Sequence, residues 1–234
     1  MWVAAPEMGA RDVLGAFHRD APYLFLGAAF VAVGVVSAAF AAIRRRHDPL
    51  LVHFALFAVL YGLRLWIQAR LLGITIQGST FYTRLRSGVD YIVPIPAVLF
   101  FNAAEMLSRA GRIAGNILVV ASALLAAATF IFGDSAPYRL INNVVVIAAL
   151  IFFITPFVRS GPAERDGPAR ADFAAIRWGL LAFVALALWE NIAGVFSVVS
   201  PKLEPFGFAA FLGSLGYVAA RRTLQRDQQL DEIQ

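Results

Sequence analysis

The sequence predicts an all-α membrane protein, a seven-transmembrane helix bundle with its N-terminus outside and its C-terminus in the cytoplasm. Three observations predict it. The chain is 60% hydrophobic and 15% charged, against roughly 45–50% and about 25% in a soluble domain. Its apolar residues gather into stretches near the ~20 residues that a helix needs to cross about 30 Å of hydrocarbon. Its basic residues gather at the ends of those stretches, dense in every second connection, which is the pattern of the positive-inside rule.

The first twenty residues carry Glu7, Asp12 and Asp20 and lack the apolar run of a secretory signal peptide. They read as an extracytoplasmic tail, residues 1–21. The seven spans then follow at 22–43, 49–72, 86–107, 113–133, 139–158, 173–199 and 206–220. Asp48-Pro49 opens the second as an N-cap with proline at the first helical position. Pro94 and Pro96 fall inside the third, which should kink or locally unwind there. Gly133 to Pro137 forms an outer turn, the 160–168 stretch a longer inner loop, and Ser200-Pro201 to Pro205 separates the last two spans. No internal repeat suggests the inverted halves of a secondary transporter.

The arginines orient the bundle. Alternate connections hold Arg44, Arg45 and Arg46; Arg109 and Arg112; Arg159, Arg165 and Arg170; and Arg221, Arg222 and Arg226. This side is cytoplasmic by the positive-inside rule. The opposite connections hold Arg84 and Arg86, Arg139 and Lys202. Seven crossings from an outer tail leave the C-terminus inside, so helix parity and charge agree. The implied location is the inner (plasma) membrane, crossed several times, with the lipid bilayer as the first partner. The formal charge of +5 reads as a topology signal, and nucleic acid is not an expected partner.

Composition removes several chemistries. With no cysteine there is no disulfide, thiolate metal site or thiol nucleophile. His18, His47 and His53 have no metal-ligand spacing. A metalloprotease helix motif, a Gly-x-Ser-x-Gly nucleophile and a phosphate-cradling glycine loop are all missing. The single lysine, Lys202, lies before the seventh span rather than within it, which argues against a retinal Schiff base. No catalytic residue, metal or cofactor is expected of these residues.

Charged residues within hydrocarbon are costly, and each is a functional candidate. Arg64 and Glu190 lie at matched depth, roughly 6 Å outward of the bilayer centre at 1.5 Å per residue, and could pair across the bundle. Asp90 lies somewhat higher on the same side. Asn142, Asn143, Asn191, Gln68, Tyr91, Trp66 and Trp189 fall in the same outer half. One reading is an outward-opening polar cavity lined by the second, third, fifth and sixth spans, binding a small ligand through Arg64 or Glu190. The plainer reading is a structural salt bridge with aromatics at the membrane interface. A second group, His53, Asn102, Glu105 and Arg177, lies near the inner face. It reads either as a network coupling helix motion to the cytoplasm or as interfacial residues meeting water and headgroups.

The seventh span has no stop signal. It runs on through Arg221-Arg222-Thr223-Leu224-Gln225-Arg226 to Leu230-Asp231-Glu232-Ile233-Gln234, good helix formers without Gly or Pro. Residues 221–234 therefore read as the start of a cytoplasmic linker helix. Ala219, Thr223, Arg226, Leu230 and Ile233 have coiled-coil spacing, the seam of a homodimer. The stretch from Glu204-Pro205-Phe206 through Tyr217-Val218-Ala219-Ala220-Arg221-Arg222, with Leu230 to Gln234, resembles the membrane-to-cytoplasm junction of bacterial seven-transmembrane proteins of diverse intracellular signalling. Within that group it is most similar to the membrane region of PPM-type serine/threonine phosphatases, as is Leu60-Tyr61-Gly62-Leu63-Arg64-Leu65-Trp66. The resemblance implies a sensor or transducer that passes a signal through the seventh helix to a cytoplasmic effector, a phosphatase, lying downstream. None of the metal-binding aspartates of such a domain is carried by these residues, so no enzymatic activity is expected of them. The alternative is a small-solute transporter or channel, which the mostly apolar middle of the bundle disfavours.

Overall fold

The protein is described from a computed structural model, which defines residues 10–43, 49–76, 79–103, 107–159, 168–196, 198 and 202–231. Among them every regular element is an α-helix: α1 (Ala10–Ile43), α2 (Pro49–Gln68), α3 (Arg70–Thr75), α4 (Thr80–Ile92), α5 (Pro94–Ala103), α6 (Arg109–Phe132), α7 (Ala136–Arg159), α8 (Pro168–Val195) and α9 (Glu204–Asp231). Among the described residues, five stretches are long and apolar enough to cross a membrane: Val13–Ile43, Pro49–Gln68, Arg109–Phe132, Ala136–Thr155 and Ala174–Val195.

The surface of α6 explains why lipid is the solvent. Its outward face carries Ile117, Val120, Leu124 and Ile131, all exposed, while Ser122 and Thr129 are fully buried with Leu118, Leu125 and Ala126. This polarity is inverted from that of a helix in water, where such an apolar surface would drive association. The outward faces of α1 and α7 are likewise rich in Val, Ile and Phe. The chain is a multi-pass membrane protein.

The chain divides into two compact units. The first comprises 1–106 and 118–138, the second 107–117 and 139–234. In the first unit α1 and α2 form an antiparallel hairpin at backbone contact. A Cβ placed on Gly62 would come within 2.6 Å of the Gly27 carbonyl oxygen, and one on Gly34 within 2.8 Å of that of Ala55. Small residues permit this approach, and between membrane helices close packing replaces the missing hydrophobic drive. Phe30, Phe57, Ala58, Tyr61 and Leu65 are buried around the seam. Phe54 of α2 meets Phe100 of α5 with ring centroids 5.6 Å apart. Gly88 of α4 lies against the ring of Phe130 in α6, beside a cluster of Tyr91, Leu125 and Ala126.

In the second unit α8 and α9 form another close antiparallel pair. A Cβ on Gly207 would lie 2.9 Å from the Cα of Phe183, and one on Gly179 would lie 3.0 Å from the Cα of Phe211. Phe183 stacks on Phe211 at 6.2 Å between centroids and tilts against Phe208 at 5.6 Å. On α7, Asn143 lies directly against Gly194 of α8.

Several expected boundaries shift, each for a physical reason. The second span was expected to reach residue 72, but α2 ends at Gln68, because Ala69 is extended (φ −57°, ψ 133°) and α3 begins anew. The third span is interrupted as its prolines predict: α4 starts earlier, at Thr80 behind Ser79, whose hydroxyl accepts from the Tyr82 amide. The hydrogen-bond ladder is interrupted at Val93, whose backbone stays in the α-helical region (φ −54°, ψ −38°), and α5 follows as Pro94–Ala103. The expected N-cap Asp48 lies outside the described residues, while Pro49 is the first helical residue of α2. Gly133, with φ +94°, ends α6 in the left-handed region that favours glycine. Residues 10–21 of the expected tail are already helical, as part of α1.

Candidate functional site

The first unit gathers polar groups where α1, α2, α3 and α4 meet. The break after Gln68 exposes backbone groups that other elements satisfy. Asp20 of α1, itself buried, accepts from the Leu71 amide at 2.8 Å. The Tyr82 hydroxyl of α4 donates to the Ile67 carbonyl at 2.6 Å. Trp66 donates through Nε1 to the Leu24 carbonyl of α1 at 3.0 Å. Tyr82 lies four residues before the 86–107 stretch.

Tyr82 places α4 beside α2, and Asp90 follows about two turns further along α4. The Arg64 Nε lies 2.7 Å from Asp90 Oδ1. Gln68, one turn from Arg64, donates to the same carboxylate oxygen. The Arg64 guanidinium also sits 5.4 Å from the centroid of the Tyr61 ring, within cation–π range. The side chains of Arg64 and Asp90 are 17% and 31% exposed, so the pair is sheltered without being sealed. Asp90, the other charged candidate of the first unit's outer group, is thus an ion-pair partner of Arg64. Next along α4, Tyr91 donates to Asp134 at the long limit of 3.5 Å. Arg84 donates to the Phe130 carbonyl at 2.8 Å, near the negative end of the α6 dipole.

The remaining outer candidates belong to the second unit. Glu190 accepts from the backbone amide of Glu204 at 3.3 Å. Its carboxylate thus sits at the N-terminus of α9, where a negative charge is favoured. Asn191 turns back to donate to the Ala187 carbonyl of its own helix at 2.8 Å. Asn142 Oδ1 is buried with no hydrogen bond among the described residues. Trp189 is 54% exposed, which suits an interface anchor. Of the outer candidates, Arg64, Trp66, Gln68, Asp90 and Tyr91 belong to the first unit, and Asn142, Asn143, Trp189, Glu190 and Asn191 to the second.

The inner candidates are likewise drawn from both units. His53, in the first turn of α2, keeps its Nδ1 buried without a hydrogen bond among the described residues. Asn102, near the end of α5, is exposed. Arg177 is half-buried on α8 in the second unit. Glu105 lies outside the described residues.

Two functional-looking residues escaped the sequence reading, Asp20 and Tyr82. Asp20 reads as part of a polar tail, and only its place two residues before Pro22 in an apolar context could have singled it out. No group of three or more His, Cys, Asp or Glu among the described residues could hold a metal ion. Comparison with protein-family models, with curated proteins and with solved structures finds no match to the chain.

Proposed function

We propose that the chain is the membrane module of a signal transducer, crossing the inner membrane seven times with its N-terminus outside and its C-terminus in the cytoplasm. Five crossings are the five long apolar stretches. α4 and α5 together make the third crossing in chain order: they cover 80–103, long enough at ~1.5 Å per residue for a ~30 Å core although neither suffices alone. The apolar first part of α9 makes the seventh. The input is a small ligand or intramembrane change at the outer polar residues, and the output leaves through α9 to a cytoplasmic effector, a phosphatase by the sequence resemblance.

One observation carries this reading. α9 runs without interruption from Glu204, through Phe208 and Phe211 packed on α8, to Asp231, ten residues past Arg221. A continuous helix is a stiff lever, so a shift of α8 against α9 at Gly179 and Gly207 becomes rotation or translation at Asp231. Glu190 holding the α9 amide end couples the outer half of α8 to that lever. Two bundle states with different ligand affinity complete the device. Pairing of two copies along Ala219, Thr223, Arg226 and Leu230 would make the unit a dimer.

A phase test decides it. A histidine-kinase catalytic core is fused after Gln234, and one to four alanines are inserted after Ala220. Output should vary with insertion length at a helical period of about 3.6 residues, the four-residue insertion lying closest to the parent. Output indifferent to phase overturns transmission through α9.

A further inference from the structure

We propose that the end of the first unit where α1, α3 and α4 begin is a binding surface for anionic phospholipid headgroups. Asp20 bonded to Leu71 sets Arg19 of α1 near Arg70 of α3. Tyr82 bonded to Ile67 brings in the start of α4, and Arg86 lies one turn after Tyr82 on that helix. Arg11 lies two turns before Arg19 on α1. Arg11, Arg19, Arg70 and Arg86 are all exposed, and none forms an ion pair among the described residues. The acid at their centre, Asp20, already serves the Leu71 amide.

Exposed arginine alone would fit any anion. The apolar side chains between them select a lipid. Leu14 is 56% and Phe17 44% exposed, on the α1 turns between Arg11 and Arg19. Phe81 is 67% exposed at the start of α4. A surface that interleaves bare Phe and Leu with guanidinium groups matches the headgroup layer, where rings and stems enter the acyl boundary and the charges meet phosphate. An acidic soluble partner would leave those apolar groups unused. α1 also has the required reach: its 34 residues exceed the ~20 that cross hydrocarbon, leaving its first turns at headgroup level.

The test uses the purified full chain in a neutral detergent, with thermal unfolding followed as phosphatidylglycerol or phosphatidylcholine is added. Phosphatidylglycerol should half-saturate the stabilisation at a lower concentration than phosphatidylcholine. Each arginine removed should cost about fivefold of that preference at low salt, measured in Arg19→Gln/Arg70→Gln and in the fourfold variant with Arg11→Gln and Arg86→Gln. The matching lysine variants keep the charge and should keep most of the preference. Raising salt from about 0.05 to about 0.5 M should erode it in the unaltered chain. A fourfold glutamine variant with the parent's preference overturns the proposal, as does a preference indifferent to salt. Inorganic phosphate stabilising as well as phosphatidylglycerol also overturns it, by pointing to a soluble anion. The outcome does not touch the transducer reading, since α9 takes no part.

Discussion

Asp90 stands in the last turn of α4, where the helix dipole disfavours a carboxylate. Arg64 and Gln68 offset that by donating to it, and Tyr61 offers its ring to the guanidinium. Removing one partner leaves a sheltered charge without its counterion. Arg64→Leu should therefore destabilise the detergent-solubilised protein by about 1–3 kcal/mol, the cost of stranding a buried hydrogen-bonding group. Arg64→Leu/Asp90→Leu should recover part of the loss, because replacing both members of a pair by apolar groups is far less costly than breaking it. Thermal or denaturant unfolding of the three chains measures both effects. The sequence made Arg64 and Asp90 legible as costly intramembrane charges, but not as partners. Depth along a helix follows from counting residues, whereas the direction each side chain faces depends on how α4 is docked, and Tyr82 sets that docking.

At the scale of elements, apolar length and proline position were legible, and tertiary capping was not. The interruption at Val93 follows from Pro94 and Pro96, each lacking the amide a continuous helix needs. The end of α2 has no such local signal. Ile67-Gln68-Ala69-Arg70-Leu71 contains no glycine or proline, and the break stands because Asp20 and Tyr82 take up the freed groups from other helices. The hairpin of α1 and α2 rests on Gly27, Gly34 and Gly62, whose meaning emerges only when two helices are set side by side. Gly62→Ala should cost about 1–3 kcal/mol, since the new methyl meets backbone that cannot yield without separating the helices. Gly213→Ala in α9, where nothing lies within 4 Å of the added carbon, should be neutral or stabilise by up to ~1 kcal/mol through helix propensity. Unfolding midpoints of the two variants should move in different directions or by clearly different amounts. Equal losses would mean that the α1–α2 contact is looser than described.

For the whole molecule, the decisive property is how many times the chain crosses the bilayer. The structure gathers Arg11, Arg19, Arg70, Arg84 and Arg86 toward one end of the first unit, so the outer side of the proposed topology is richer in charge than its connecting loops alone suggest. With Arg139 and Lys202 it holds seven basic residues against eleven on the inner side. The bias still favours a cytoplasmic C-terminus, by a narrower margin. The interrupted crossing of α4 and α5 and the short apolar part of α9 separate a seven-span chain from a five-span one, and the two alternatives place the same loops on opposite sides. Because the chain contains no cysteine, single cysteines can be read without background. Ser135→Cys and Ser160→Cys, each introduced alone, are treated in intact cells with a membrane-impermeant maleimide. Seven crossings with the N-terminus outside predict that Ser135→Cys is labelled and Ser160→Cys is labelled only after permeabilisation. The reverse pattern, with Ser160→Cys labelled from outside and Ser135→Cys protected, would contradict the seven-span topology and the transducer built on it.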